Sequence, residues 1–274
     1  ATSRLTLNIG TRYDLQYLKT IDTDTNNLSP RAGFAWTPFA SRRIVVRGSF
    51  GLFYDRVPLR ALANALLSAG NTTDPNRLSQ TSISLSPTQA GAPAFPNILS
   101  SLTLPPGVLF NFTTMKRTIQ NAYSAQGSFE IEHQLNANST LSVGYQHLRG
   151  LHLIVSVNQN VPSCVAVGSN NGCRPNPAYA NNSQYSPSAD SRYDGLHVSF
   201  VQRPTRWGNY RVSYTYSKAL DNVGEFFFSS PIDNNNIWQD YSRSDDDQRH
   251  RLVVNGTIQS PSSKSRTQIG RAHV

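Results

Sequence analysis

The chain has 274 residues, 38% of them hydrophobic and only 15% charged, with 25 Lys and Arg against 16 Asp and Glu for a formal net charge of +9. A soluble domain usually carries about a quarter charged residues, and the abundance of Asn, Ser, Thr, Gly and Tyr suits strands and polar loops better than helices. No run approaches the roughly 18 apolar residues of a membrane-spanning helix, and the basic residues are spread singly rather than gathered into the patch that nucleic acid would need.

The elements follow in chain order from alternation, because a strand sends successive side chains to opposite faces. Leu5 to Tyr13, Leu28 to Trp36 and Ile44 to Tyr54 alternate with some noise. Residues 58 to 68 (PLRALANALLS) predict a short helix inside a long connection. From Tyr123 to Leu135 the odd positions read Tyr, Ala, Gly, Phe, Ile, His, Leu and the even ones Ser, Gln, Ser, Glu, Glu, Gln. Leu141, Val143 and Tyr145 alternate with polar neighbours, as do Leu196, Val198 and Phe200, with Val201 a lapse. Tyr210, Val212, Tyr214 and Tyr216 stand against Arg211, Ser213, Thr215 and Ser217. Leu252, Val254 and Ile258 stand against Arg249, Arg251, Val253 and Asn255. The pattern predicts about eight strands.

Their length and connections set the fold class. Segments such as 123 to 135 exceed the usual 5 to 6 residues of soluble strands and reach the roughly 9 to 11 of a tilted membrane-crossing strand. Short links at Ala40–Arg42, Asn136–Asn138 and Pro204–Asn209 alternate with long stretches at 56 to 120, 151 to 190 and 221 to 247. Short periplasmic turns and long extracellular loops are the habit of outer-membrane barrels. The expectation is an all-β, antiparallel transmembrane β-barrel segment. A closed barrel of eight strands has an interior only wide enough for side chains; the many charges on the polar face favour an open piece of a larger wall.

In that orientation Trp36, Phe39, Trp207 and Tyr210 fall at the short-turn end. Tyr13, Phe53, Tyr54, Tyr123 and Tyr216 fall at the long-loop end. Aromatic girdles at both interfaces are a barrel feature, although aromatic residues are common in strands generally. The polar face should line the lumen. Arg47, Arg211 and Arg251 lie on it, with Arg4, Arg12, Arg203 and Arg249, and Glu130, Glu132 and Asp55 share it as potential partners. An arginine-lined interior would favour anionic solutes or serve as a docking surface for a plug.

No catalytic signature appears: neither G-x-S-x-G, nor a P-loop, nor paired carboxylates, nor H-E-x-x-H. The protein is not expected to be an enzyme, and no cofactor or metal is expected. Asp245, Asp246 and Asp247 form an acidic run without EF-hand spacing, which reads as a solvated loop end. His250 reads as an interface residue, and Asp194 and Asp221 as strand-end residues. Cys164 and Cys173, the only two cysteines, lie close together in one long loop with no further metal ligand between them. In an exported protein such a pair usually forms a disulfide.

Several segments resemble the Oar-like TonB-dependent outer-membrane receptors: LSPRAGFAWTPF (28 to 39), VVRGSFGLFYDR (45 to 56), YDGLHVSFVQR (193 to 203), YRVSYTYSKALDN (210 to 222) and DQRHRLVVNG (247 to 256), with weaker likeness over 121 to 135 and 141 to 153. At Ala122 the family usually has Pro. These motifs are strand signatures and carry no substrate information. The resemblance implies a barrel of about 22 strands, with an N-terminal plug and a TonB-docking segment expected upstream of Ala1. The last six residues, 269 to 274, resemble a translated sequencing adapter and are set apart from the partial barrel domain at 1 to 268.

The expected function is a share in the barrel wall of a TonB-dependent transporter in the outer membrane of a Gram-negative bacterium, taking up an unidentified bulky solute. Its expected partners are outer-membrane lipid and the TonB complex, through parts outside the chain. A passive porin or barrel adhesin is the alternative, and a secreted soluble β-sandwich is disfavoured by strand length and loop asymmetry.

Overall fold

The computed structural model describes residues 3–68, 87–88, 91–98, 109–164, 173–205, 208–224 and 230–258. In chain order these form β1 (Leu5–Tyr13), β2 (Leu28–Trp36), β3 (Ile44–Tyr54), α1 (Leu59–Ser68), β4 (Phe112–Met115), β5 (Tyr123–Gln134), β6 (Ser139–Asn158), β7 (Asn182–Thr205), β8 (Gly208–Asp221), a 3-10 turn (Ile237–Asp240), β9 (Ser242–Arg243) and β10 (His250–Ile258). Eight of the strands make one wall in the order β1-β2-β3-β5-β6-β7-β8-β10, while β4 pairs with β7 and β9 with β8 at the upper rim. Every neighbouring pair along the wall is antiparallel, and among the described residues only β4 on β7 runs parallel. Among the described residues, β1 and β10 leave the wall open at both edges.

The register turns the one-dimensional alternation into rows across the wall. Leu5, Trp36, Val46, Ile131, Val143, Val198, Tyr214 and Leu252 stand side by side on one face. The next row on the same face reads Leu7, Phe34, Gly48, Phe129, Tyr145, Leu196, Tyr216 and His250. A slip of one residue in any strand would send its apolar set to the wrong face, so the pattern pins the register. This face is broadly uncovered: Ile9 is 83% exposed and Leu252 66%. Such a continuous apolar surface calls for a partner medium. Gly208, the first residue of β8, has a φ of 121°, which is open to glycine but strained for other residues.

Above this wall β6 and β7 run on together, and here the sequence reading is corrected. Residues 151 to 190 are not one long loop: strand pairing continues to Asn158 and resumes at Asn182. A bulge between Gly150 and Leu153, with His152 at φ 57°, marks where the extension begins. Both faces of the extension are covered. Ile154 and Tyr185 pack with Ile21, Val57, Ile119 and α1, whereas Val155, Val157 and Ala189 pack under Val223 and Ile237. Two buried faces erase the period of two, so Leu153, Ile154 and Val155 read as a continuous apolar run. The buried core of the chain therefore sits at the loop end, outside the wall proper.

Candidate functional site: the polar face of the wall

One transverse row brings Arg47, Glu130 and His197 together. Thr6, Ala35, Arg47, Glu130, Gly144, His197, Thr215 and Arg251 lie side by side on the face opposite the apolar rows. The Arg47 guanidinium donates to Glu130 Oε1 at 3.1 Å and to Glu132 Oε2 at 2.7 Å. His197 Nε2 lies 3.2 Å from the second oxygen of Glu130. The imidazole of His197 rests over Gly144, in the space a Cβ there would take, so the glycine permits the reach to Glu130. Hydroxyl pairs extend the belt: Ser49 and Ser128 at 2.7 Å, Ser199 and Ser213 at 3.2 Å. Higher on the same face the Arg31 guanidinium sits 4.4 Å above the Phe53 ring, a cation–π contact. Shallow troughs of about 530 Å³ and 490 Å³ run along this face between Asn8, Arg31, Arg47, Ser128, Gln146 and His197.

Arg211 and Arg251 share the face but have no ion pair among the described residues; Arg211 stands opposite Val201 and Asn255, Arg251 opposite Thr215. Of the aromatics, Tyr54 and Tyr123 stack at 5.0 Å at the loop end of the apolar face, and Tyr216 lies 5.2 Å from the His250 ring. Tyr210 packs on Phe200 at 5.9 Å near the short-turn end, where Trp36 is 46% exposed. Trp207 lies outside the described residues, as do 259 to 274. Phe53 departs from the expected girdle, because its register places it on the polar face beneath Arg31.

The acidic run is also corrected at one position. Asp245 and Asp246 are exposed, but the Asp247 side chain is only 1% exposed. It accepts the Ala219 N–H at 2.7 Å and pairs with Arg249 and Arg243 at 3.2 and 3.4 Å. The Ala219 amide above all, with the two arginines, holds this carboxyl below its usual range against the opposing effect of burial. The residue ties the last long loop to the top of β8. Cys164 and Cys173 are joined in a disulfide, Cα atoms 5.7 Å apart. Beside it Arg174 holds the carbonyls of Asn160 and Ala180 at 2.6 and 2.9 Å. Among the described residues no three His, Cys, Asp or Glu side chains converge as a metal site.

Sequence reasoning missed a second polar group, on the apolar face. Asp194 accepts from the Tyr145 hydroxyl, His147 and Arg192. The signal was present: Asp194 shares its phase with Leu196, Val198 and Phe200, so the alternation itself puts a carboxylate on the apolar side.

The comparisons agree with this architecture. The model of the family described as "Outer membrane beta barrel domain" matches residues 16–274. The outer membrane transporter YddB from Escherichia coli superposes with a TM-score of 0.54 at 13% identity, over 82% of this chain and 24% of that one. The siderophore receptor PirA from Pseudomonas aeruginosa gives a TM-score of 0.44 at 13% identity over 80% and 32%. The FrpB iron transporter from Neisseria meningitidis gives 0.47 at 11% over 81% and 24%. No curated protein matches the sequence. The chain spans 24% of the length of YddB, so it corresponds to a segment of such a barrel. With its open antiparallel wall, uncovered apolar rows and a family match over nearly all its length, the chain belongs to the outer membrane beta barrel domain family and is a protein of the outer membrane.

Proposed function

We propose that this chain forms part of the barrel wall of a TonB-dependent transporter that takes up a bulky solute, with the polar face lining the lumen and the apolar rows meeting lipid. The carrying observation is an open eight-stranded wall, in the fold of an outer membrane transporter, whose inner face bears a cross-strand network of Arg47, Glu130, Glu132 and His197. A water-filled or plugged lumen tolerates such charges, whereas lipid would not. Arg47, Arg211 and Arg251 give that face the donors to engage an anionic solute or the carboxylates of a plug. Tyr54, Tyr123 and Tyr216 would stand at the outer interface, and Trp36, Trp207 and Tyr210 at the periplasmic one. The Cys164–Cys173 bridge fits a loop folded in an oxidising compartment. Nothing in the reading calls for catalysis.

The test uses the complete protein from the intact gene, reconstituted in liposomes. A plugged, energised transporter should not admit a small neutral sugar such as arabinose in a swelling assay, and should bind the purified C-terminal domain of TonB. Free permeation of arabinose without TonB binding would overturn the reading in favour of a porin.

A further inference from the structure

We infer that the cleft formed by Arg149, Arg192, His147 and Trp238 on the apolar side of the wall seats the phosphate of an outer-leaflet glycolipid. The inference rests on the lipid-facing reading of that side. The two-residue period that points Leu196, Val198 and Phe200 outward carries Asp194 and Arg192 to the same side. The register then sets His147 and Lys218 on either flank of Asp194, and Arg149 directly opposite Arg192. All of them lie on the loop side of the rows through Leu5 and Leu7, toward the level at which lipid headgroups would stand if this face meets lipid. From above, the 3-10 turn and Tyr241 fold over them and close a cleft of about 530 Å³ lined by His147, Arg149, Asp190, Arg192, Trp238 and Tyr241.

Two features mark this cleft as prepared for an anion. Like charges directly opposite on neighbouring strands are destabilising, yet Arg149 and Arg192 face each other across β6 and β7. Their carboxylates do not saturate them. Among the described residues Arg192 engages Asp194 through Nε alone, at 2.7 Å, and Arg149 stands 3.6 Å from Asp190, too far for a hydrogen bond. With Lys218 the cations outnumber Asp190 and Asp194. A phosphate between the two guanidinium groups would relieve their repulsion and accept several charge-assisted hydrogen bonds. Trp238, 54% exposed and packed at 5.9 Å on Tyr241, supplies the amphipathic ring that favours headgroup depth. Because its strand residues His147, Arg149 and Arg192 continue the same face as Tyr145, Leu196 and Val198, its occupant is a membrane lipid and not a solute from the medium.

The experiment measures retention of lipid A, and of lipid A stripped of its phosphates, on the complete protein in detergent by native mass spectrometry. Wild type should retain the phosphorylated form. Arg149→Gln with Arg192→Gln should lower retention at least about tenfold, the factor that loss of a single charge-assisted hydrogen bond already gives. Arg117→Gln, which removes one positive charge elsewhere, should not. Folding is checked by heat-dependent gel mobility; should the double variant fail it, Arg149→Gln alone, which breaks no hydrogen bond, gives the same reading. Equal retention by variant and wild type, equal retention of the dephosphorylated lipid, or displacement by inorganic phosphate at matched concentration would each overturn the inference. None of these outcomes bears on TonB binding or sugar permeation, so this site and the transport reading fail separately.

Discussion

Replacing Val198 by arginine tests the facing of the wall where it is least ambiguous. Val198 stands mid-row between Val143 and Tyr214, with Leu196 and Phe200 two residues away along its own strand. No acid in its row, from Leu5 to Leu252, offers a partner. An arginine on the lipid side near mid-bilayer costs about 2–4 kcal/mol, which lowers the folded-to-unfolded ratio about 30- to 700-fold. The neighbouring Ser199 looks the other way, between Ser142 and Ser213, and gives up one hydroxyl contact of 3.2 Å. Ser199→Arg should therefore cost only about 1 kcal/mol. The assay is folding of the complete protein into phospholipid vesicles, read by heat-dependent gel mobility across a urea series. Equal losses for the two variants, or a larger loss for Ser199→Arg, would refute the assignment of faces.

Gly144→Ala should displace the His197 ring and break its contact with Glu130, at about 1–3 kcal/mol for overpacking; urea unfolding in vesicles measures it, and adding His197→Ala should recover part of the loss. Acid should loosen the last long loop late. The folded Asp247 carboxyl lies below its usual range, so its stabilisation is complete above the ordinary carboxylate pKa and is lost only as pH falls through the depressed value. Hydrogen exchange of the Ala219 amide, corrected for intrinsic rate, should stay slow through mild acid, and Asp247→Ala should abolish that protection at neutral pH.

Much of the wall was legible because its two faces meet different surroundings. Tyr123 to Leu135 and Tyr210 to Ser217 alternate cleanly, and each became one strand with its apolar set on one side. The upper half of β6 and β7 was not legible. Val155 and Ile154 are buried on opposite faces, and a strand covered on both sides loses its period. Partner choice on the polar face was equally hidden. Arg47 and Glu130 are 83 residues apart, and their meeting depends on the register of β3 against β5, which no local pattern states. Asp247 shows a different limit. Three consecutive aspartates look alike in sequence, and only the loop's return onto Ala219 singles out the third.

If the apolar face of this wall meets lipid, single cysteines at positions 210 to 217 of the complete protein should report it residue by residue. Each would carry a nitroxide label in vesicles, with Cys164 and Cys173 already consumed by their disulfide. Labels at Tyr210, Val212, Tyr214 and Tyr216 should be accessible to oxygen dissolved in the bilayer, and those at Arg211, Ser213, Thr215 and Ser217 to a water-soluble nickel complex instead. Uniform access to the nickel complex, or the same period with its phase reversed, would contradict the membrane wall.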